Sequence, residues 1–190
     1  MIKKRYAAIF FVGLISACAT LKPQIQTITL NGMVYDLNNR PIAGYLVSLG
    51  GELTVTTDIT GRFTIPNVPA GTYQITGSKK YYEPYAGDII IEDSKTVVYL
   101  SIPSAQQLLD SADYALQSNK LGEAEGYLNR VERTCYSNID FHFYKAVLQF
   151  RKHEYGAAQI TLESILAIGG ENPTVKVFLN DLKNREATHE

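Results

Sequence analysis

The chain has 190 residues, 45% of them hydrophobic, which is enough for one ordinary domain or two small ones. Its 18 Lys and Arg stand against 19 Asp and Glu, scattered rather than gathered into basic runs, which argues against a nucleic-acid partner. The three histidines, His142, His153 and His189, are not at metal-ligand spacing, so no metal and no cofactor is expected.

The first 18 residues, MIKKRYAAIFFVGLISAC, place Lys3, Lys4 and Arg5 ahead of an apolar run from Tyr6 to Ala17. That run is shorter than the roughly 20 residues a membrane-spanning helix requires, and it has the layout of a secretory signal. Its end, Leu14-Ile15-Ser16-Ala17-Cys18, resembles the lipobox of bacterial lipoproteins. The resemblance implies cleavage before Cys18, with lipids on that cysteine forming the membrane anchor. Stable anchoring takes more than one acyl chain, each buried methylene adding about 0.8 kcal/mol. The alternative is an ordinary signal peptide with a chance cysteine. Ala19, rather than an aspartate, follows Cys18, which favours outer-membrane sorting in enterobacterial lipoproteins. Removing the signal leaves 15 basic against 19 acidic side chains. With Cys18 acylated, Cys135 has no internal disulfide partner and reads as a small buried hydrophobe or a reactive thiol.

Between Ile25 and Pro103 the apolar pattern has period two: Ile28, Leu30 and Val34; Val47 and Leu49; Leu53 and Val55; Phe63 and Ile65; Tyr73 and Ile75; Ile89 and Ile91; Val98 and Leu100. Seven short segments divided by Gly, Pro, Asn and Asp predict a small antiparallel β-sandwich. Gly61 and Gly71 are expected to supply positive φ in their turns, and Pro66 and Pro69 to keep their loop out of the ladder. The residues Gly32, Val34 and Asp36, then Pro41, Ile42, Gly44 and Val47, resemble the carboxypeptidase regulatory-like domain, a transthyretin-like or Ig-like sandwich. Thr57, Asp58, Gly61 and Phe63, followed by Val68, Pro69, Gly71 and Tyr73, continue that resemblance. It implies a fold rather than an activity, because these positions are turns and core. The loop KKYYEPY, residues 79–85, sets Tyr81, Tyr82 and Tyr85 beside two lysines. Such rings could stack on sugars or sit at a membrane interface, or cap the sandwich core.

From Ser104 onward the period becomes helical. Displaced by 34 residues, Ala112 falls on Ala146, Leu121 on Tyr155, Ala124 on Ala158, Leu128 on Leu162 and Val131 on Ile165. This resembles two tetratricopeptide repeats, 105–138 and 139–172, followed by a helix from Pro173 whose Val177, Phe178 and Leu182 would cap the end. The second repeat departs from the family at Lys145 and Gln149, and Tyr136 and Gly170 replace the terminal prolines. The resemblance implies a groove that takes a protein partner, lined by Leu109, Asp113 and Leu116 in the first repeat and Phe143, Val147 and Phe150 in the second.

The fold class expected is thus multidomain, β then α: a signal peptide at 1–17, a lipidated linker at 18–25, the sandwich at 26–103 and the helical domain at 104–190. No nucleophile elbow or phosphate loop is present to support catalysis. The function expected is a non-catalytic lipoprotein scaffold of the cell envelope, anchored through Cys18 with a protein partner on the repeats. Carbohydrate binding through the sandwich loops is the alternative, as is service as an accessory subunit to an envelope enzyme.

Overall fold

A computed structural model describes residues 27–134, 136, 138–169 and 171–189, with side chains to residue 184. The predicted signal and linker, Cys18 and Cys135 lie outside the described residues. Seven strands come first: β1 (Thr27–Tyr35), β2 (Leu46–Leu49), β3 (Leu53–Thr56), β4 (Arg62–Pro69), β5 (Gly71–Ser78), β6 (Tyr85–Ile91) and β7 (Val97–Ser101). Five helices follow: α1 (Ala105–Gln117), α2 (Leu121–Arg133), α3 (Ile139–Arg151), α4 (Tyr155–Gly169) and α5 (Pro173–His189).

The strands form a sheet of order β4-β1-β7 and a second of order β3-β2-β5-β6. Every pairing is antiparallel except one: β1 runs parallel to β7, with Val34 opposite Leu100, so the sandwich is mixed rather than wholly antiparallel. Inward residues at period two, Leu30 and Val34 from β1, Val47 and Leu49 from β2, Ile65 and Ile75 from β4 and β5, meet in one buried cluster. Each such chain removed from water contributes roughly 1.5–3 kcal/mol before entropy is counted. Tyr45 is fully buried among them; its hydroxyl donates to the Glu83 carbonyl at 3.2 Å, and burial pushes the phenol pKa up. Gly77 makes room for that ring, since a Cβ there would overlap it.

The motif residues hold turns. Asp36 accepts from the backbone N–H groups of Asn38 and Arg40, and Asp58 does the same for Thr60 and Arg62, each at 2.8 and 2.9 Å. The Arg62 amide, then the Thr60 hydroxyl, hold the Asp58 carboxyl below its usual range. Gly61 has φ +74, as expected, and a Cβ there would also strike the Val34 carbonyl. Gly71 is not among the positive-φ residues; Asn67 is, at φ 59. Pro66 and Pro69 are inside β4 and not in an excluded loop: register slips by one between Ile28 and Leu30, so the chain bulges at Pro66 and Asn67 and pairing resumes.

In the helical half the first helices start at residues 105, 139 and 173, and the second helices at 121 and 155, so each element recurs after 34 residues. Ser104 and Gln107 cap α1 reciprocally, and Asn138 caps α3 through the Phe141 amide at 2.8 Å. Ala112, Ala124, Ala146 and Ala158 are all 0% exposed, letting paired helices approach closely. Val175, Leu179 and Leu182 of α5 close the second core, while Val177 stays 61% exposed.

Candidate interaction surface

Two regions are expected to meet partners, and their geometry differs. The loop at 79–85 is the junction between the halves. The Tyr81 carbonyl accepts from Ala105 N–H at 2.8 Å, the Tyr81 N–H donates to Thr134, and Tyr82 bridges to Ser104. The Tyr81 ring meets Tyr136 edge-on at 5.3 Å, while Tyr82 and Tyr85 are half-buried against the sandwich core. Glu83, its side chain 15% exposed, receives two bonds from Arg130 (2.9 and 2.7 Å) and one from Arg133 (2.7 Å). The Arg130 fork holds the Glu83 carboxyl below its usual range against the opposing effect of burial. The loop therefore joins domains, and Tyr81 alone of the three tyrosines keeps substantial exposure, at 43%.

The predicted groove also needs correction. Leu109 and Leu116 are 0% and 3% exposed and belong to the core between α1, α2 and α3. A partner cannot reach them. Phe143 and Phe150 are half-buried under Phe178 of α5, with ring centroids 6.2 and 5.2 Å away, so the last helix covers these two positions. Asp113 and Val147 are partly exposed.

One helical step away, α1 leaves Asp110 exposed, Tyr114 69% exposed and Asp113 partly exposed; on α3, Asp140 is exposed, and Tyr144 is partly buried against the first helical core. The Tyr144 phenol is pushed up first by burial and then by the carboxylates of Asp113, Asp140 and Asp110, all within electrostatic reach. The arrangement is one of charge and aromatic surface. Among the described residues, no group of three His, Cys, Asp or Glu could hold a metal ion, and no helix is long and apolar enough to cross a membrane. Position on the helix could have pointed to Asp110 and Tyr114: they lie on the polar side of the stripe formed by Leu108, Leu109, Ala112 and Leu116.

A mixed two-sheet sandwich followed by paired helices defines a β-then-α protein with an Ig-like first half. Residues 29–102 match the carboxypeptidase regulatory-like domain, a span that takes in nearly all of the sandwich and none of the helices. The chain is 30% identical over 169 residues to the TonB-dependent transporter Oar of Myxococcus xanthus, covering 82% of this chain and 15% of that protein. It is 29% identical over 160 residues to Structural protein 27 of a virus (isolate Australia/Victoria), covering 78% of this chain and 28% of the other. The chain thus spans less than a third of either relative's length. Among solved structures, a putative carbohydrate binding protein from Bacteroides uniformis ATCC 8492 aligns at 16% identity and TM-score 0.38, over 42% of each chain.

Proposed function

We propose that the protein is a non-catalytic lipoprotein of the cell envelope, held in the outer membrane by lipid on Cys18, whose tetratricopeptide-like helices dock a protein partner. The observation that carries this reading is that Asp113 on α1 and Tyr144 and Val147 on α3 stay partly exposed. The Asp113 carboxylate acts on the Tyr144 phenol, and the two helices are fixed by fully buried alanines. A rigid surface of this kind loses little entropy on binding, which favours recognition. The sandwich serves as a spacer whose junction with the helices sets the direction in which that face points.

The anchor is tested by growth with a clickable palmitate analogue: labelled protein in the wild type and none in Cys18→Ser is expected. Label that persists in the serine variant refutes lipidation at this position. The scaffold is tested by in-cell crosslinking and affinity capture, beside an Asp113→Lys, Val147→Lys variant whose helicity is unchanged. Loss of the crosslinked partner in that variant supports the helical face. Capture indifferent to it moves binding to the sandwich, and absence of any partner refutes the scaffold.

A further inference from the structure

The chain enters and leaves the sandwich at opposite poles. β1 and β7 are parallel, with Asn31 opposite Val97 and Tyr35 opposite Ser101, so the two strands point toward the same pole. Thr27 lies opposite Pro69, Leu49 opposite Leu53 and Gly71 opposite Ile91, which puts the turns at 50–52, 69–71 and 92–96 at the entry pole. The turns at 36–44, 57–61 and 79–84 are at the exit pole, where β7 passes into α1. An antiparallel β7 would have brought entry and exit to one pole. Nine residues of β1, at about 3.3 Å each, make the sandwich roughly 30 Å from pole to pole.

The helices are tied firmly to the exit pole. Residues 102–104 alone separate β7 from α1, and Ile102 is 2% exposed. The Ile102 N–H donates to the Tyr35 carbonyl at 2.8 Å, Glu83 N–H to the Pro103 carbonyl at 3.0 Å and Ala105 N–H to the Tyr81 carbonyl at 2.8 Å. The Glu83 carboxylate then takes Arg130 and Arg133 of α2. A connection bonded in this way does not swing as a flexible linker does.

We propose that the entry pole faces the membrane and that the sandwich holds the helical array off it, an inference that rests on the lipid anchor at Cys18. The array then meets parts of a partner that stand clear of the bilayer, not segments embedded in it. Cys18 is nine residue steps from Thr27, a reach of about 32 Å at full extension. Turned over, the molecule would put the sandwich and at least one helix thickness of roughly 10 Å between Thr27 and the bilayer, which exceeds that reach. Nor does charge draw it onto its side: after loss of the signal, 15 basic side chains stand against 19 acidic ones, no surplus for an anionic surface. The entry turns themselves carry Glu52, Glu92 and Asp93 against Lys95, so this pole rests beside the headgroups and does not insert among them.

The test places one azide-bearing residue, coupled to a fluorescent donor, at Ser94, Asn38 or Ser118, all exposed. Ser94 marks the entry pole, Asn38 the exit pole and Ser118 the turn between α1 and α2. The full lipoprotein, made in cells fed the palmitate analogue, is reconstituted in phosphatidylcholine vesicles carrying rhodamine-labelled lipid. Energy transfer to the lipid should be strong from Ser94 and mostly lost at Asn38 and Ser118. Equal transfer from Ser94 and Asn38 means that the sandwich lies on its side and overturns the proposal, as does stronger transfer from Ser118. Protein that carries the palmitate label yet gives either result sinks this arrangement and leaves the anchor standing. Protein without the label sinks the anchor, and this arrangement with it. In the in-cell capture, crosslinks from the helices should fall on a water-exposed domain of the partner; crosslinks to a membrane-spanning segment overturn the proposal.

Discussion

The sandwich and the helical array reach stability by opposite routes. In the sandwich, residues far apart in the chain meet: β1 pairs with β7 more than sixty positions later, and Tyr45 reaches the Glu83 carbonyl. Thr57 is buried yet satisfied, accepting from Tyr45 N–H at 2.9 Å and donating to the Ile42 carbonyl at 2.5 Å. In the helices, packing runs from each hairpin to the next, through alanines and leucines repeated every 34 residues. In the sandwich the inward half of each strand is committed to such long-range contacts. A stacked array needs only its inter-helix stripes kept, which leaves its outer faces open to ligand recognition.

Substitutions should separate the halves along that line. The largest effect is expected at Leu109, which is 0% exposed. Leu109→Asp buries a carboxylate and leaves a cavity, at a cost of about 4 kcal/mol or more. Helical ellipticity at 222 nm should collapse while limited proteolysis still yields an intact sandwich fragment. Retained helicity would mean that Leu109 lines a surface after all. Gly61→Val comes next. Its φ of +74 and the blocking Val34 carbonyl predict a loss of about 2–3 kcal/mol, borne by the strands. Amide hydrogen exchange should rise in β1 and β4 and stay unchanged in α3 and α4; exchange rising everywhere would show the halves to be one cooperative body.

The same contrast explains what is legible in the sequence. All seven strands are visible there because alternation and turn residues are local, and the helical phase follows from the 34-residue displacement. The parallel pairing of β1 with β7 is not, since nothing in either strand names its neighbour. Pro66 reads as an exclusion signal because a bulge depends on the partner strand as much as on the proline. The expected groove is displaced from the open face by a rotation about the helix axis: Leu109 and Asp110 are adjacent in sequence but about 100° apart around α1. Burial of Phe143 and Phe150 depends on Phe178, nearly thirty or more residues away. The 79–85 loop looks like an aromatic binding loop because its sequence carries no mark of the arginines on α2 that dock against it.

That junction offers a milder way to test how far the halves act together. Glu83→Gln keeps the shape but removes the charge that Arg130 and Arg133 answer, and should cost about 1 kcal/mol, discounted for the partial exposure of both arginines. Because the folded-state pKa of Glu83 is depressed, its contribution is present above the ordinary glutamate range near 4.3 and is lost as pH falls from there through the depressed value. The wild type should therefore lose stability relative to Glu83→Gln as pH falls below the ordinary glutamate range of about 4.3. Parallel pH dependence of the two proteins would show that this ion pair does not couple the domains.

The smallest effect is expected at the far end of the array. Val177 on α5 is 61% exposed, and by the 34-residue register it corresponds to Phe143 of α3, which packs toward its successor. The other matches of that α3 face, Ala146 and Phe150, correspond on α5 to Asn180 and Asn184. Polar residues at two of these three places let this face of α5 tolerate water where α3 requires a neighbour. Val177→Ser should then shift stability by no more than about 0.5 kcal/mol, against several times that for Ala146→Ser, which is 0% exposed. A large loss at Val177 in thermal unfolding would mean that this face is covered in solution, and that the array does not end at α5.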